Sequence, residues 1–398
     1  MHRIRNLLLL STMLLLLLAG CATPAPTTTD TASEEAPSAA EEAAATEAPA
    51  EEAAAAGPLA GICPDPVVIQ TDWFPEAEHA ALYQLLGDAY TVDTDRKAVS
   101  GPLLAGGEAT GVGVEIRTGG PAIGFQQPIK QMYVEDDITL GYVSTDEAIF
   151  GADDTPTIAV MAPLEKNPQI IMWDPATYPD VETIADLGEA GVVVNVFAGG
   201  TFIDVFVSEG VLSADQVDPS YDGSPARWVA ENGAIAQQGF ASAEPYTYEN
   251  EIDEWGKPVA FQLIHDAGLE LYSQALAIRA ADLEELRPCL ALLIPIIQQA
   301  VVDYAAAPEH ANAIIVDAVA QYNDFWVYNE GLAEFSVAKQ LELGLIGNGP
   351  DTTVGNMDLD RVQGVIDQMV AAGLDINVDL QADTIATNEF IDASIGLP

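Results

Sequence analysis

Short apolar runs alternate with helix-like stretches along most of this chain, and this alternation constrains its fold more than any other feature. The runs have the length and residue types of buried β-strands. They occupy residues 67–69, 112–117, 138–143, 157–161, 169–173 and 192–197, the fourth and fifth being a candidate pair. Helices are predicted at 76–86, at 125–133, from 202 onwards, and then in succession at 282–307, 309–330 and 358–372. This alternation, followed by a helical tail, predicts an α/β, doubly wound architecture.

The part of the chain that carries this pattern begins at about residue 63 and ends at Pro398. It exceeds the size at which one hydrophobic core usually divides into two, so we expect two lobes. Beyond the N-terminus no run reaches the ~20 apolar residues of a membrane span, because the run 290–297 is short and contains Pro295.

The N-terminus has the order of a bacterial lipoprotein signal. Arg3 and Arg5 precede an apolar segment that is too short for an ordinary membrane span, and Leu18-Ala19-Gly20 lead to Cys21. We expect cleavage after residue 20 and acylation of Cys21, which would anchor the protein to the extracytoplasmic side of the cell membrane. An uncleaved signal anchor or a plain secretory peptide is the alternative.

Residues 21–62 are rich in Ala, Thr, Pro and Glu and contain no aromatic residue. Such a segment buries too little apolar surface to fold, so we predict a disordered acidic tether. The whole sequence has 13 Lys and Arg against 62 Asp and Glu, a net charge of −49. This charge excludes nucleic acid as a partner and leaves the lipid anchor as the expected membrane contact. Solubility or a saline habitat explains the charge, and a cationic ligand is the alternative.

The sequence contains three cysteines. With Cys21 assigned to lipidation, Cys63 and Cys289 remain in a compartment where disulfides persist, and we expect them to form one. The four histidines are scattered and no Cys–His cluster has zinc-site spacing, so neither a metal site nor a cofactor is expected.

In doubly wound sheets, ligands bind beyond the carboxyl ends of the strands. Trp73 offers a flat face for stacking a planar ring, and His79 offers a ring nitrogen, although either side chain can be purely structural. Gly120 lets backbone amides approach a ligand closely, and Gln126 adds an amide donor and acceptor. The loops concerned are 72–79, 118–124, 141–147 and 198–201.

The other two loops supply further candidates. Tyr142 and Asp146 flank a strand end, where the carboxylate either accepts from a ligand or caps a helix. Gly200 and Thr201 present helix-start amides to a carbonyl or anionic group.

Several motifs resemble those of one protein family, and they follow one another in the same order as in that family. Thr71-Asp72-Trp73-Phe74-Pro75, then His79 and Tyr83, resembles the first strand and helix of ABC-importer solute-binding proteins, in the branch that binds the thiamine pyrimidine precursor, nitrate, sulfonates and riboflavin. Residues 183–188, 192–201 and 209–211 resemble later family segments, and Ala243-Glu244-Pro245-Tyr246 resembles its "EP" turn. The resemblance covers about residues 67–330.

The resemblance implies a two-lobed type II periplasmic-binding fold whose hinge closure traps a small molecule. The expected boundaries are 63–165 for the first part of lobe one, 166–258 for lobe two and 259–398 for the return and C-terminal helices. The connections between lobes are expected near 162–180 and 248–262. Glu244 and Tyr246 would contact ligand from lobe two, and an importer permease would be the partner of a monomer.

The composition of the loops limits the chemical class of ligand that we expect. Arg117 and Lys130 are the nearest basic residues, so nitrate, sulfonate or phosphate lacks obvious counter-charges. A planar heterocycle fits better, and the riboflavin-binding lipoproteins are the most similar members. The thiamine pyrimidine precursor is the alternative, although Glu76 replaces the Asn usual in that branch, and a sulfonate or nitrate is a less favoured alternative.

Two other classes stay open. An enzyme on the same fold would pair His79 with Asp146 or Glu244, but the sequence has no Ser, Cys or Lys motif for a nucleophile. A structural or adhesive surface lipoprotein is the third class.

Overall fold

The computed structural model describes residues 57–398. Cys21, the signal segment 1–20 and most of the predicted tether lie outside these residues. The described chain is mixed α/β, with two β-sheets flanked by helices and a helical C-terminal stretch. The predicted fold class is therefore confirmed.

Twelve strands in the described range form a seven-stranded sheet, in the order β2-β3-β4-β1-β5-β12-β6, and a five-stranded sheet, in the order β11-β7-β10-β8-β9. We call the halves built on these sheets lobe one and lobe two. The strands are β1 (Val67–Gln70), β2 (Thr91–Asp93), β3 (Ala98–Ala105), β4 (Glu108–Arg117), β5 (Leu140–Val143), β6 (Thr157–Met161), β7 (Gln169–Trp173), β8 (Val194–Asn195), β9 (Val217–Asp218), β10 (Ala236–Phe240), β11 (Ala260–Leu263) and β12 (Ala275–Arg279).

The centre of lobe one is parallel. Strand β1 pairs in parallel with both β4 and β5, and β12 pairs antiparallel with β5 and β6. All four residues of β1 are buried, as expected for a strand covered on both faces. The carboxyl ends of β1, β4 and β5 therefore meet at one edge.

Lobe two contains β7 antiparallel to β10 and β11, with β8 parallel to β10 and to β9. The predicted pairing of 157–161 with 169–173 is wrong. Strand β6 pairs with β12 while β7 pairs within the other sheet, because the chain crosses between lobes after β6.

Two connections join the lobes, at residues 162–168 and 264–274. The first lies within the predicted range. The second comes later than the predicted 248–262, and lobe two extends beyond residue 258, because β11 still pairs with β7.

Arg361 links these two connections. Its guanidinium donates to the carbonyl oxygen of Glu165 in the first connection, at 2.9 Å, and to that of Leu271 in the second, at 3.3 Å. It also stacks over the ring of Tyr272, 3.9 Å from the centroid. One side chain thus holds both connections against the helix that carries it.

The α-helices differ in detail from prediction. Residues 76–86 form a 3-10 turn (Ala77–His79) and one α-helical turn, and the predicted helix 309–330 stops at Tyr322 because Asn323 has a left-handed backbone, with φ of 48°. The helices are α1 (Ala80–Tyr83), α2 (Pro128–Met132), α3 (Thr145–Gly151), α4 (Ile184–Ala190), α5 (Thr201–Ser208), α6 (Ala226–Ala230), α7 (Glu244–Asn250), α8 (Leu283–Ala306), α9 (Glu309–Tyr322), α10 (Glu330–Glu342) and α11 (Leu359–Ala371).

Helix α8 continues through Pro288 and Pro295. Within the described chain, the stretch Ala280–Ala306 is the one helix long and apolar enough to cross a membrane, and half of its most apolar window is buried. Leu290, Leu293 and Ile297 lie in the core of lobe one. This burial is typical of the core helix of a folded domain.

The ordered body begins before residue 63. Leu59 is fully buried, and its amide donates to the carbonyl oxygen of Thr110 at 3.0 Å, so residues 57–62 pack on β4 instead of belonging to the tether. In the structure a disulfide joins Cys63 to Cys289 in α8. The first ordered segment is thus tied to the core.

Candidate functional site

The loops that follow β1, β4 and β5 lie at one edge of the lobe-one sheet, because β1 is parallel to both neighbours. They carry Trp73, Gly120 and Asp146. This edge faces the elements of lobe two that contain Thr201 and Ser242, both of which contact it. We call this region the cleft.

Trp73 lies partly exposed in the cleft. Gly120 packs directly on its indole: a Cβ at Gly120 would come within 2.5 Å of Cε3, and the glycine φ is +57°. Only glycine fits this approach and this backbone without strain. The ring centroids of Phe125 and Trp326 lie 6.3 Å and 6.1 Å from that of Trp73. Trp73 is thus the centre of an aromatic group.

His79 is fully buried and positions Asp72. Its Nε2 lies 2.7 Å from Oδ1 of Asp72, and Nε2 of Gln274 donates to Oδ2 of Asp72 at 2.9 Å. Nδ1 of His79 and the buried hydroxyl of Tyr142 have no hydrogen-bond partner in the described structure. The Tyr142 ring lies 5.3 Å from that of His79. The structure therefore brings His79 and Tyr142 together beside the carboxylate of Asp72, which was not among the predicted site residues.

Carboxyl groups gather in the cleft. Burial, with the charge of Glu78, raises the pKa of Glu76 well above its usual value. Burial also raises the pKa of Glu147 to about 8, with a contribution from Asp146, and that of Glu244 to about 7. At neutral pH the carboxyl groups of Glu76 and Glu147 are therefore largely protonated.

Replacing Glu244 by Gln is expected to flatten the pH dependence of stability. The carboxyl pKa in the folded state, about 7, exceeds the ordinary value of 4.5, so its contribution to stability is complete below pH 4.5 and is lost as the pH rises through 7. Between pH 5 and 7 this carboxyl should make the free energy of unfolding of the wild type fall by up to about 1.4 kcal/mol per pH unit. Glu244→Gln should lack this fall, and urea unfolding at several pH values measures the difference.

Glu249→Gln is the matched control, because Glu249 is exposed on the same helix, α7. An identical slope in Glu244→Gln and wild type would contradict the assignment.

The two lobes touch through side-chain hydrogen bonds, one of which joins two predicted site residues. Thr201, the first residue of α5 after the N-cap Gly200, donates through Oγ1 to Oδ2 of Asp146 at 2.6 Å. Ser242 of lobe two donates to the buried carboxyl of Glu78 in lobe one. Asp146 thus contacts the other lobe, a role that neither sequence interpretation of it included.

The surroundings of the last three candidates differ. Glu244 accepts from the amide of Phe240 at 2.6 Å, while the Tyr246 ring packs 5.5 Å from that of Phe335 in α10. Gln126 is exposed beside Phe125. Tyr246 therefore contacts the C-terminal return of lobe one.

The basic residues nearest in sequence are engaged elsewhere. Arg117 pairs with three carboxylates outside the cleft, and Lys130 donates to Thr155 at 3.0 Å. Within residues 57–398, no cleft carboxyl named above forms an ion pair with lysine or arginine. The arrangement suits a ligand edge that donates hydrogen bonds better than an anion.

Comparison with solved structures shows the fold. The chain is similar to the ligand-binding component of an ABC-type import system from Staphylococcus aureus, with zinc bound (TM-score 0.52, 11% identity, covering 81% of this chain and 97% of that one). It is also similar to the periplasmic nitrate-binding protein NrtA from Synechocystis PCC 6803 (TM-score 0.51, 14% identity, covering 82% and 88%). A Candida albicans protein described as having the generic periplasmic binding protein fold matches with a TM-score of 0.50 and 12% identity, over 83% and 98%.

The chain therefore has the periplasmic binding protein fold. No protein-family model matches it, and the search of curated proteins finds no match.

Proposed function

We propose that this protein is the solute-binding component of an ABC importer. It is lipid-anchored through Cys21 on the extracytoplasmic side, captures a planar heteroaromatic vitamin in the cleft, and delivers it to the permease. Riboflavin is the first candidate ligand. The observation that carries this proposal is the partly exposed indole of Trp73, placed at the carboxyl edge of the sheet between aromatic rings and carboxyl groups.

Riboflavin matches both the aromatic rings and the carboxyl groups around Trp73. Its flat ring system suits stacking on an indole, and its imide N–H and ribityl hydroxyls are hydrogen-bond donors. Asp72 and Glu76 lie on the same loop as Trp73 and offer carboxyl oxygens as acceptors. Closure of the lobes would then hold the ligand, because contacts from both lobes form only in the closed state.

Nitrate and sulfonate fit this cleft less well. Both are anions, and among the described residues no lysine or arginine lies beside the cleft carboxyl groups to serve as a counter-charge.

The pyrimidine precursor of thiamine is the second candidate. Glu76 favours it specifically: burial raises the pKa of this carboxyl, so that it can donate to a ring nitrogen, while Asp72 can accept from an exocyclic amine. A single small ring would also need less opening of the lobes than a flavin.

Binding, not catalysis, is the proposed role. His79 is fully buried and its Nε2 is occupied by Asp72, and Cys63 and Cys289 are joined in a disulfide. The residues that a fold-sharing enzyme would use as base or nucleophile are thus held in structural contacts.

A thermal-shift screen of the full chain tests this function. The panel contains riboflavin, the hydroxymethyl aminopyrimidine, taurine and nitrate. Ligand that binds only the folded state at a hundredfold excess over its Kd adds about 2.7 kcal/mol of stability, so riboflavin should raise Tm by several degrees. A shift with taurine or nitrate alone would overturn the proposal, and a shift with the aminopyrimidine alone would select the second candidate.

A further inference from the structure

Phe125 combines an unfavourable backbone with an exposed aromatic ring. Its φ is +59°, and it follows Gly124, whose φ is +67°. The Phe125 amide donates to the carbonyl oxygen of Gly120 at 2.8 Å, which closes the turn. A bulky non-glycine residue in the left-handed region is disfavoured, and strained residues of this kind cluster at functional sites.

Burial does not explain this phenylalanine, because 69% of its surface is exposed. A glycine at position 125 would adopt the same backbone without strain, and a polar residue would suit the exposure. The residue type therefore points to a contact between this ring and another molecule.

The ring of Phe125 lies opposite Trp73. Their centroids are 6.3 Å apart, with planes tilted by 49°. Carbon atoms in contact lie about 3.5–4.0 Å apart, so a flat ring between two others needs them about 7–8 Å apart. A small outward rotation of Phe125, on a turn already at the surface, would supply the missing distance.

Trp326 forms a third side. Its ring stands perpendicular to that of Trp73, at 87° and 6.1 Å, and its Nε1 donates to the carbonyl oxygen of Pro75 at 3.4 Å. Trp326 comes from the connection between α9 and α10, far from Trp73 in sequence. Three separate segments thus place aromatic rings next to one another, with the Trp73 indole in contact range of both other rings.

We propose that Trp73 and Phe125 form an aromatic slot that clamps the flat ring of the ligand, with Trp326 as its side wall. The slot selects planar heteroaromatic rings over tetrahedral or aliphatic solutes. This inference rests on the proposed function and narrows it by assigning ring recognition to Phe125. The carboxyl groups of Asp72 and Glu76, on the loop of Trp73, are left for the polar edge of the ligand.

The test uses three probes to separate recognition of the flavin ring from recognition of its ribityl chain. Riboflavin has both parts, lumichrome has the ring system without the ribityl chain, and ribitol is that chain without the ring. The variant Phe125→Gly removes the phenyl group and relaxes the backbone. Phe125→Tyr keeps an aromatic ring. Phe150→Ala is the matched control, because Phe150 is also exposed, at 47%, on α3.

Binding of riboflavin and lumichrome to the full chain is measured by fluorescence titration, with ribitol as competitor. Phe125→Gly should raise the Kd of both flavins by the same factor, at least tenfold, while Phe125→Tyr and Phe150→Ala stay within threefold of wild type. The Tm of Phe125→Gly should equal or exceed that of wild type, which shows that lost binding is not lost folding.

Three outcomes would overturn the slot. If Phe125→Gly binds both flavins with an unchanged Kd, Phe125 is not part of a ring-binding slot, while the proposed function stands. A loss for riboflavin but not for lumichrome would assign Phe125 to the ribityl chain. Wild-type protein that binds neither flavin nor the aminopyrimidine would overturn the slot together with the proposed function.

Discussion

Replacing both Cys63 and Cys289 by serine is expected to lower the free energy of unfolding by about 4 kcal/mol. The disulfide joins residues 226 apart in sequence, and a bond that closes so long a loop strongly restricts the unfolded chain. It also ties the segment around Leu59 to helix α8. Urea unfolding followed by circular dichroism measures the change.

Wild-type protein in excess reductant is the control, and it should lose about as much stability as the double variant. A change below about 1 kcal/mol in both would contradict this role of the disulfide. So would free labelling of both thiols in folded protein without reductant.

Replacing Trp73 by Ala is expected to weaken binding of the planar ligand by about 1–3 kcal/mol. The indole supplies one wall of the slot, and Gly120, which has no side chain, packs directly on it. Titration calorimetry with riboflavin measures the loss.

Trp73→Phe is the conservative control and should recover part of the affinity, since it keeps an aromatic face. The indole also packs against the core of lobe one, so each titration is run well below the Tm of the variant. Equal affinities in Trp73→Ala and wild type would reassign the indole to a structural role.

The buried strands could be predicted from sequence, because their signal is local. Strands β6 and β7 have the predicted bounds, since each is one polar residue followed by four apolar ones, between polar or proline-containing segments. The β2–β3 hairpin was not predicted, because β3 contains Gly101 and Pro102, which are poor strand formers. Its strands form through pairing with β4 rather than through their own propensity.

Strand pairing and domain limits depend on contacts between distant residues. Nothing within β6 or β7 indicates that the chain changes lobes between them. The second connection lies later in the chain than the sequence predicts, because β11 is half exposed and lacks a strong apolar pattern that would mark it as a strand. Likewise, only its contact with Thr110 shows that Leu59 belongs to the folded body.

The candidate site was predictable only in part for the same reason. Strand ends indicated the loops that carry Trp73, Gly120 and Asp146. The partners of these residues come from elsewhere: Gln274, which binds Asp72, is 202 positions away, and Trp326 is further still. Asp72 itself lay within the motif beside Trp73, where its position at a strand end was the signal that pointed to it.

Titration of riboflavin with the full chain, followed by flavin fluorescence, tests most directly the claim that this cleft captures a planar heterocycle by stacking. We expect quenching that saturates at about one protein per flavin, with an affinity that Trp73→Ala weakens at least about fivefold. Flavin fluorescence that stays unchanged at millimolar protein, in a preparation that binds taurine or nitrate, would contradict it.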